Sequence, residues 1–344
     1  MASVDVAQGR HDWLNSGAFE VAPGVHRIPL PMPGDGLRAV NVYAIEDGDG
    51  LVLVDSGWAK PEARTALESA LAELGRELGD VRRFLVTHAH RDHYTLGVEL
   101  RRTLGVPVAL GAGERASLDI LLAGTHDRQL SQLDRNGAAE LADLIRSSLD
   151  TEAEPPGEDF ERPDEWLEAD TEVTLTDRTL RVVPTPGHTR GHVVFVDERN
   201  SLLFAGDHVL PHITPSIGLE AARTALPLGD YLDSLRRVRE LPDMRLLPAH
   251  GPVTDSTHSR VDELLAHHEQ RLEDTEGVVR DGAETARDAA GELGWTRRDR
   301  AFADLDVFNR ILAVGETGAH LDLLVARGRL HSSIVDGVAR YRTI

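Results

Sequence analysis

The stretch Thr87-His88-Ala89-His90-Arg91-Asp92-His93 decides the fold, because it puts four groups able to ligate a cation within six residues, directly after the apolar run 83–86. Side chains that alternate along a strand end or loop can point into one cavity, whereas a surface helix would spread them around its circumference. Three further groups sit in similar settings: His188 in Pro186-Gly187-His188-Thr189, Asp207 in Ala205-Gly206-Asp207-His208, and His250 in Pro248-Ala249-His250-Gly251. Each follows an apolar strand pattern or lies beside a glycine that lets the backbone turn sharply. One such histidine would read as an exposed or hydrogen-bonded residue; seven groups repeated in this setting read as a metal centre. The chain contains no cysteine, so disulfides and thiolate ligands are excluded and any cation must be held by imidazole and carboxylate.

Outward from the motif, strands and helices alternate. Residues 25–30, 39–45 and 51–54 are short β-rich runs, and Asp47-Gly48-Asp49-Gly50 between the last two is a hairpin signal. A helix is expected over 61–78, with apolar residues recurring at Leu67, Leu71 and Leu74, another over 97–104, and a strand over 106–110. From 114 to 170 the chain turns to polar helices and then to an acidic, proline-bearing stretch, 152–165, too long for an ordinary loop. It reads equally as a solvated insertion or as a lid over a site. Strand patterns return at 172–175, 180–183, 192–196, 202–205 and 246–247, with a helix over 231–241. A strand-rich block followed by helix thus occurs twice, which suits an α/β sandwich of two sheets covered by helices on both outer faces.

The remainder reads as helical: a long helix over 260–279, then helices over 283–293, 301–314 and 317–327, followed by a turn at Gly328 and wing-like strand residues 335–341. Residues 281–344 hold ten acidic and nine basic side chains, whereas the whole chain of 344 residues carries a net charge of −21. This near-neutral end is expected to be a separate winged-helix-like domain, with 259–280 as a linking helix and 1–258 as the catalytic domain. The acidity argues against phosphate backbones and acidic membranes as partners, since both are bound by clustered Lys and Arg, and here the arginines are scattered. No apolar run approaches the length of a membrane span, and Met1 to Trp13 has no cationic flank before an apolar block, so a cytoplasmic location is expected.

His88-x-His90-x-Asp92-His93, preceded by Val54-Asp55-Ser56-Gly57 and followed by Gly187-His188, Gly206-Asp207 and His250-Gly251, resembles the metallo-β-lactamase superfamily in the all-His/Asp ligand form typified by glyoxalase II. The resemblance covers about residues 20–255 and implies a four-layer αββα sandwich with two metals at one edge between the sheets. By that resemblance His88, His90 and His188 bind the first ion, Asp92, His93 and His250 the second, and Asp207 bridges them. Zinc is expected first, iron or manganese next. Neutral imidazoles leave charge on the ions, so a bridging water would ionise near neutral pH and act as the nucleophile. Asp55 is expected to orient ligands through hydrogen bonds. Asp92, Asp207 and His212 are the expected catalytic groups, with Tyr94, His212 and Asn41 as substrate contacts and Tyr43 also facing the cleft. His267 and His268 on the long helix are expected to pack.

The C-terminal domain makes the chain similar to the subgroup with an appended winged helix, which includes thioester hydrolases and an RNA endonuclease. Without a basic stripe or an aromatic platform for bases, nuclease activity ranks below hydrolysis of a small-molecule acyl substrate. Within that class the order is thioester, then lactone or other carboxylic ester, then β-lactam, since family resemblance alone does not establish lactam cleavage. No basic cluster marks a site for a coenzyme A phosphate. An iron-dependent oxidoreductase of the sulfur dioxygenase type could use a similar ligand set. Neither nucleic acid nor a membrane is expected as a partner, and a homodimer is allowed.

Overall fold

In the segment 202–206, Leu202 and Phe204 enter one core while Leu203 and Ala205 enter another. This period of two, repeated in 193–196 and 51–54, makes each sheet a wall between two apolar layers. The computed structural model describes residues 3–4, 11–124, 127–149, 159–296 and 299–344. The first half runs β1 (Ser3–Val4), β2 (Phe19–Ala22), β3 (Val25–Pro31), β4 (Ala39–Asp47), β5 (Gly50–Val54), α1 (Pro61–Glu73), β6 (Val81–Val86), α2 (Arg91–Leu104), β7 (Val108–Gly111), α3 (Arg115–Ala123), α4 (Asp127–Arg135), α5 (Ala139–Leu149) and β8 (Glu165–Leu167). The second runs β9 (Glu172–Thr174), β10 (Thr179–Pro184), β11 (Val193–Asp197), β12 (Leu202–Gly206), α6 (Pro227–Glu240), β13 (Arg245–Pro248), α7 (Thr257–Arg280), α8 (Ala286–Glu292), α9 (Val307–Ala326), β14 (Leu330–Val335) and β15 (Val338–Thr343).

Strands β1 to β8 lie side by side in chain order in one sheet, and β13-β12-β11-β10-β9 form the second. Between the sheets Tyr43, Val52, Val54 and Leu85 meet Val182, Phe195, Phe204 and Leu247. On the outer face of the first sheet, Ile28, Val42 and Leu53 pack under Leu67 and Leu71 of α1 and Leu96 and Leu100 of α2. On the outer face of the second, Val194, Leu203 and Leu246 pack under α6, α7 and α9. The architecture is therefore the four-layer αββα sandwich, with a helical C-terminal part closed by the antiparallel β14–β15 pair.

Several boundaries differ from those expected, each for a local reason. Helix α1 stops at Glu73 because Gly75, at φ 70°, turns the chain into a Schellman closure: the Gly75 amide donates to Ala72 and the Arg76 amide to Leu71. Helix α2 starts at Arg91, six residues earlier than the apolar pattern suggested, so Asp92 and His93 stand in a helical first turn and not on a loop. The two helices expected over 301–327 are largely one, α9, which holds Gly315 and Gly318 in its interior, Gly318 where the Asn136 side chain presses against it. A Cβ on Gly318 would meet the Asn136 side chain at 2.8 Å, and one on Gly218 would meet the Gly315 carbonyl at 2.7 Å.

The described part of the insertion is not a solvated appendage. Leu130, Leu133, Leu141 and Ala142 of α4 and α5 belong to the core beneath the second sheet, together with Val314 and Leu321 of α9. Residues 152–158 of its acidic stretch lie outside the described residues. The near-neutral C-terminal end shares this core too, so its helices complete the outer layer of the sandwich.

Candidate metal centre

All seven ligand candidates stand just past the ends of strands. His88 and His90 follow β6, Asp92 and His93 open α2, His188 lies in the turn from β10 to β11, Asp207 follows β12, and His250 follows β13. The structure brings them together. Donor atoms of His88, His90, His188 and Asp207 all lie within 4.8 Å of one another, as do those of Asp92, His93 and His250. Asp207 faces both groups: Oδ2 is 3.5 Å from His188 Nε2, while Oδ1 is 3.4 Å from His250 Nε2 and 3.6 Å from His93 Nε2.

In three of the five rings the outward nitrogen has a partner that fixes which nitrogen keeps the proton. His188 Nδ1 donates to the Ser216 carbonyl at 2.7 Å, His250 Nδ1 to the Ala39 carbonyl at 2.8 Å, and His93 Nδ1 to Asp55 Oδ2 at 2.9 Å. When these rings are neutral their inward Nε2 atoms are lone pairs, open to a cation or a proton. His88 Nε2 and His188 Nε2 both converge on His90 Nδ1, at 2.9 and 3.0 Å, although one hydrogen cannot serve both. His93 Nε2, His250 Nε2 and Asp207 Oδ1 are buried without any hydrogen-bond partner. Buried polar atoms seldom stay unsatisfied, and inward-facing lone pairs repel unless a cation lies among them. Tetrahedral zinc with bonds of about 2.0 Å would hold neighbouring nitrogens roughly 3.3 Å apart, near the spacings seen. The donor set therefore fits divalent metal.

The charges divide along the same line. Burial, with the neighbouring imidazoles adding to it, holds His88 well below the usual histidine range. Burial and His188 bring His90 down to about 3. Burial opposes charge on His93 as well, yet Asp92, Asp55 and Asp207 outweigh it and push this ring up to about 10. His250 is raised by Asp207 and Asp92 against its burial. The carboxylates thus call for positive charge at the centre of the cluster, and without metal that charge is a proton.

Asp55 is held at φ 60°, a left-handed conformation that costs a non-glycine residue free energy. The carboxylate so placed accepts from the Thr87 amide at 2.8 Å, from the Thr87 hydroxyl at 2.9 Å and from His93. Two supporting residues escaped the sequence reading. His192 Nε2 accepts from the Asp207 amide at 3.1 Å, and the Thr185 hydroxyl lies 2.8 Å from its Nδ1. Glu114, fully buried, accepts from the hydroxyl of Thr189, beside His188. Burial pushes Glu114 up to about 7, against the pull of Thr189 and with Glu220 adding to the rise. Nothing in its sequence setting marked it, for it lies between a strand and a helix with no motif around it.

Two expected substrate contacts lie elsewhere. Tyr94 has no exposed surface, and its hydroxyl donates to the Glu161 carbonyl at 2.7 Å, because the early start of α2 turns it into the core. Asn41 is also fully buried; its amide donates to the carbonyls of Pro248 at 3.0 Å and Gly251 at 2.8 Å, tying β4 to the loop that carries His250. Tyr43 donates to the same Pro248 carbonyl at 2.8 Å and is buried between the sheets. His212 is half-buried in the segment between β12 and α6, four residues before Ser216, the acceptor for His188. His268 is buried, with its Nδ1 3.3 Å from His320 Nε2.

A four-layer sandwich with a double His/Asp cluster past its strand ends defines a class of metal-dependent enzymes. The chain belongs to the metallo-beta-lactamase superfamily, whose family model matches residues 35–250. It is similar to a protein described as a probable metallo-hydrolase in Bacillus subtilis, with 26% identity over 92% of this chain and 97% of that one. Among solved structures it resembles a metallo-beta-lactamase family protein from Thermus thermophilus, at 30% identity and TM-score 0.78, covering 94% of this chain and 100% of that one. A beta-lactamase domain protein from Burkholderia ambifaria matches at 30% identity and TM-score 0.79, over 99% of this chain and 96% of that one. The similarity to both solved structures spans nearly the whole chain, including the C-terminal helices. Among the described residues no helix is long and apolar enough to cross a membrane.

Proposed function

We propose that this chain is a hydrolase that cleaves an ester-like bond in a small acyl molecule, thioesters first and lactones or other carboxylic esters second, with two divalent ions, zinc foremost. The observation that carries the reading is the set of inward lone pairs on His93, His250 and Asp207, buried together with no partner. His88, His90 and His188 would hold one ion, Asp92, His93 and His250 the other, and Asp207 would reach both. Bound there, the ions supply Lewis acidity, which makes a water molecule nucleophilic at neutral pH and stabilises charge on an acyl oxygen.

The chain's own contribution is to hold the ligands of that centre in register. Ser216, Ala39 and Asp55 fix the ring tautomers. Asp92 stays ionised despite its burial, because His93 and His250 face it, so it would present an anionic oxygen to the second ion. His212 is placed in the segment that supports His188 and is assigned the proton donated to the leaving group. A thiolate or activated alkoxide needs little such help, which favours thioesters over amides.

The test is a panel of thioesters, lactones, β-lactams, phosphodiesters and RNA, assayed with the zinc, manganese and iron forms. Turnover of thioesters or lactones that is lost in Asp207→Ala, with the fold intact, is the expected result. Cleavage confined to RNA or phosphodiesters, or oxygen consumption by the iron form, would replace this reading with a nuclease or a dioxygenase.

A further inference from the structure

Six of the seven ligand side chains are buried, and only His90 is half-buried, so the centre opens to solvent on the side of His90. The next residue, Arg91, is exposed, with its Cα about 3.8 Å from that of His90 as for any trans peptide. Its guanidinium carbon lies 5.3 Å from the centre of the Trp58 ring. Lys60, the only lysine in the chain, is also exposed and has its Nζ 4.7 Å from the same ring.

The loop that carries Trp58 is fixed to the first turns of α2. The Ser56 amide donates to the His93 carbonyl at 2.9 Å, the Ala59 amide to the Thr95 hydroxyl at 2.9 Å, and that hydroxyl to the Arg91 carbonyl at 2.6 Å. The loop that presents the indole to both cations is thus anchored to the helix that opens with two of the metal ligands.

Their lack of counter-charge is informative. In a chain with 58 acidic and 37 basic residues, nearby cations on the same helices are paired: Arg64 with Glu68 and Glu99, Arg101 with Glu161 and Asp164, Arg102 with Glu161. Among the described residues neither Lys60 nor Arg91 has a carboxylate within ion-pairing distance. Two like charges gathered on one indole, with no carboxylate of the described residues within ion-pairing distance, favour the arrival of an anion.

We infer that Trp58, Lys60 and Arg91 form a clamp for an anionic group, carboxylate or phosphate, on the remote end of the substrate, at the mouth of the metal centre. The inference rests on the hydrolase reading for the word substrate, but the clamp itself rests on this geometry. Lys60 and Arg91 supply the charge, and Trp58 keeps both head groups at the rim. The clamp makes the enzyme selective for acyl compounds that carry a negative charge away from the scissile bond.

The experiment uses the metal-loaded full chain and calorimetric binding of straight-chain dicarboxylates of four to eight carbons, each against its monocarboxylate, so that one carboxylate occupies the metals and the other can reach the clamp. A second series replaces the remote carboxylate by a phosphonate and so identifies the preferred anion. At the chain length that spans the distance, the dianion should bind roughly tenfold more tightly than the monoanion, an advantage that shrinks with added salt. The Lys60→Gln/Arg91→Gln variant should lose that advantage, and Lys60→Arg/Arg91→Lys should keep most of it. No advantage at any length with either head group, or one that survives the double glutamine variant, overturns the clamp. A protein that shows the advantage but hydrolyses no ester supports the clamp and refutes the hydrolase reading, whereas an esterase with no advantage refutes the clamp alone.

Discussion

At the scale of single residues, the centre is organised by where protons must sit. Ser216, Ala39 and Asp55 each take the outward proton of a ring, so His188, His250 and His93 turn lone pairs inward. In the metal-free chain the surrounding carboxylates push His93 up to about 10 against its burial and raise His250, so His93 is expected to carry an extra proton at pH 7.5. A divalent ion takes the same lone pair and must displace that proton. Metal loading should therefore release at least one proton per chain in weakly buffered solution at pH 7.5, and apparent affinity should weaken as pH falls. Pairing calorimetry in two buffers of different ionisation enthalpy measures the count; zero release would show that these rings are neutral before metal arrives.

At the scale of elements, the positions of ligands were legible because strand ends in this sequence carry His, Asp and Gly together. The phase of α2 was not. Its first turn holds Arg91, Asp92 and His93, which break any apolar pattern, so the periodicity is visible only from Gly97 and Tyr94, next to the ligand motif, reads as a cleft residue. Glu114 and the pairing of Trp58 with Arg91 were invisible for a different reason, since these residues meet only through long-range contacts. The loops around Glu114 touch backbone to backbone: a Cβ on Gly191 would stand 2.1 Å from the Glu114 amide nitrogen and 2.4 Å from the Gly113 carbonyl carbon. Gly191→Ala should therefore destabilise the fold by about 1–3 kcal/mol and loosen metal held through His188. Gly277→Ala, inside α7 with nothing within 4 Å of its Cβ, should stabilise by up to about 1 kcal/mol. Thermal melts of the two variants measure both effects, and equal shifts would show that the loop contact yields without cost.

At the scale of the whole molecule, charge statistics suggested a separate near-neutral module at the C-terminus, while the core joins it to the sandwich. Ile311, Val314, Leu321 and Leu324 of α9 lie in one cluster with Leu232 and Leu235 of α6 and Leu264 and Leu272 of α7. Surface charge reports on solubility and partners and says little about which apolar faces meet, so this union could not be read from composition. Removing residues 281–344 should expose that face and give a chain that aggregates or melts well below the intact protein. A truncated chain that stays monodisperse with the same melting temperature would mean that the C-terminal part is a passive appendage.

The account depends on seven side chains from both sheets closing around two cations. Elemental analysis of metal per chain, after stripping with chelator and reloading at micromolar supply, tests this most directly. Two equivalents are predicted for the intact protein and fewer for His250→Ala or for a chain with His88, His90 and His188 replaced by alanine. No retained divalent metal, or two equivalents still held by the triple variant, would contradict it.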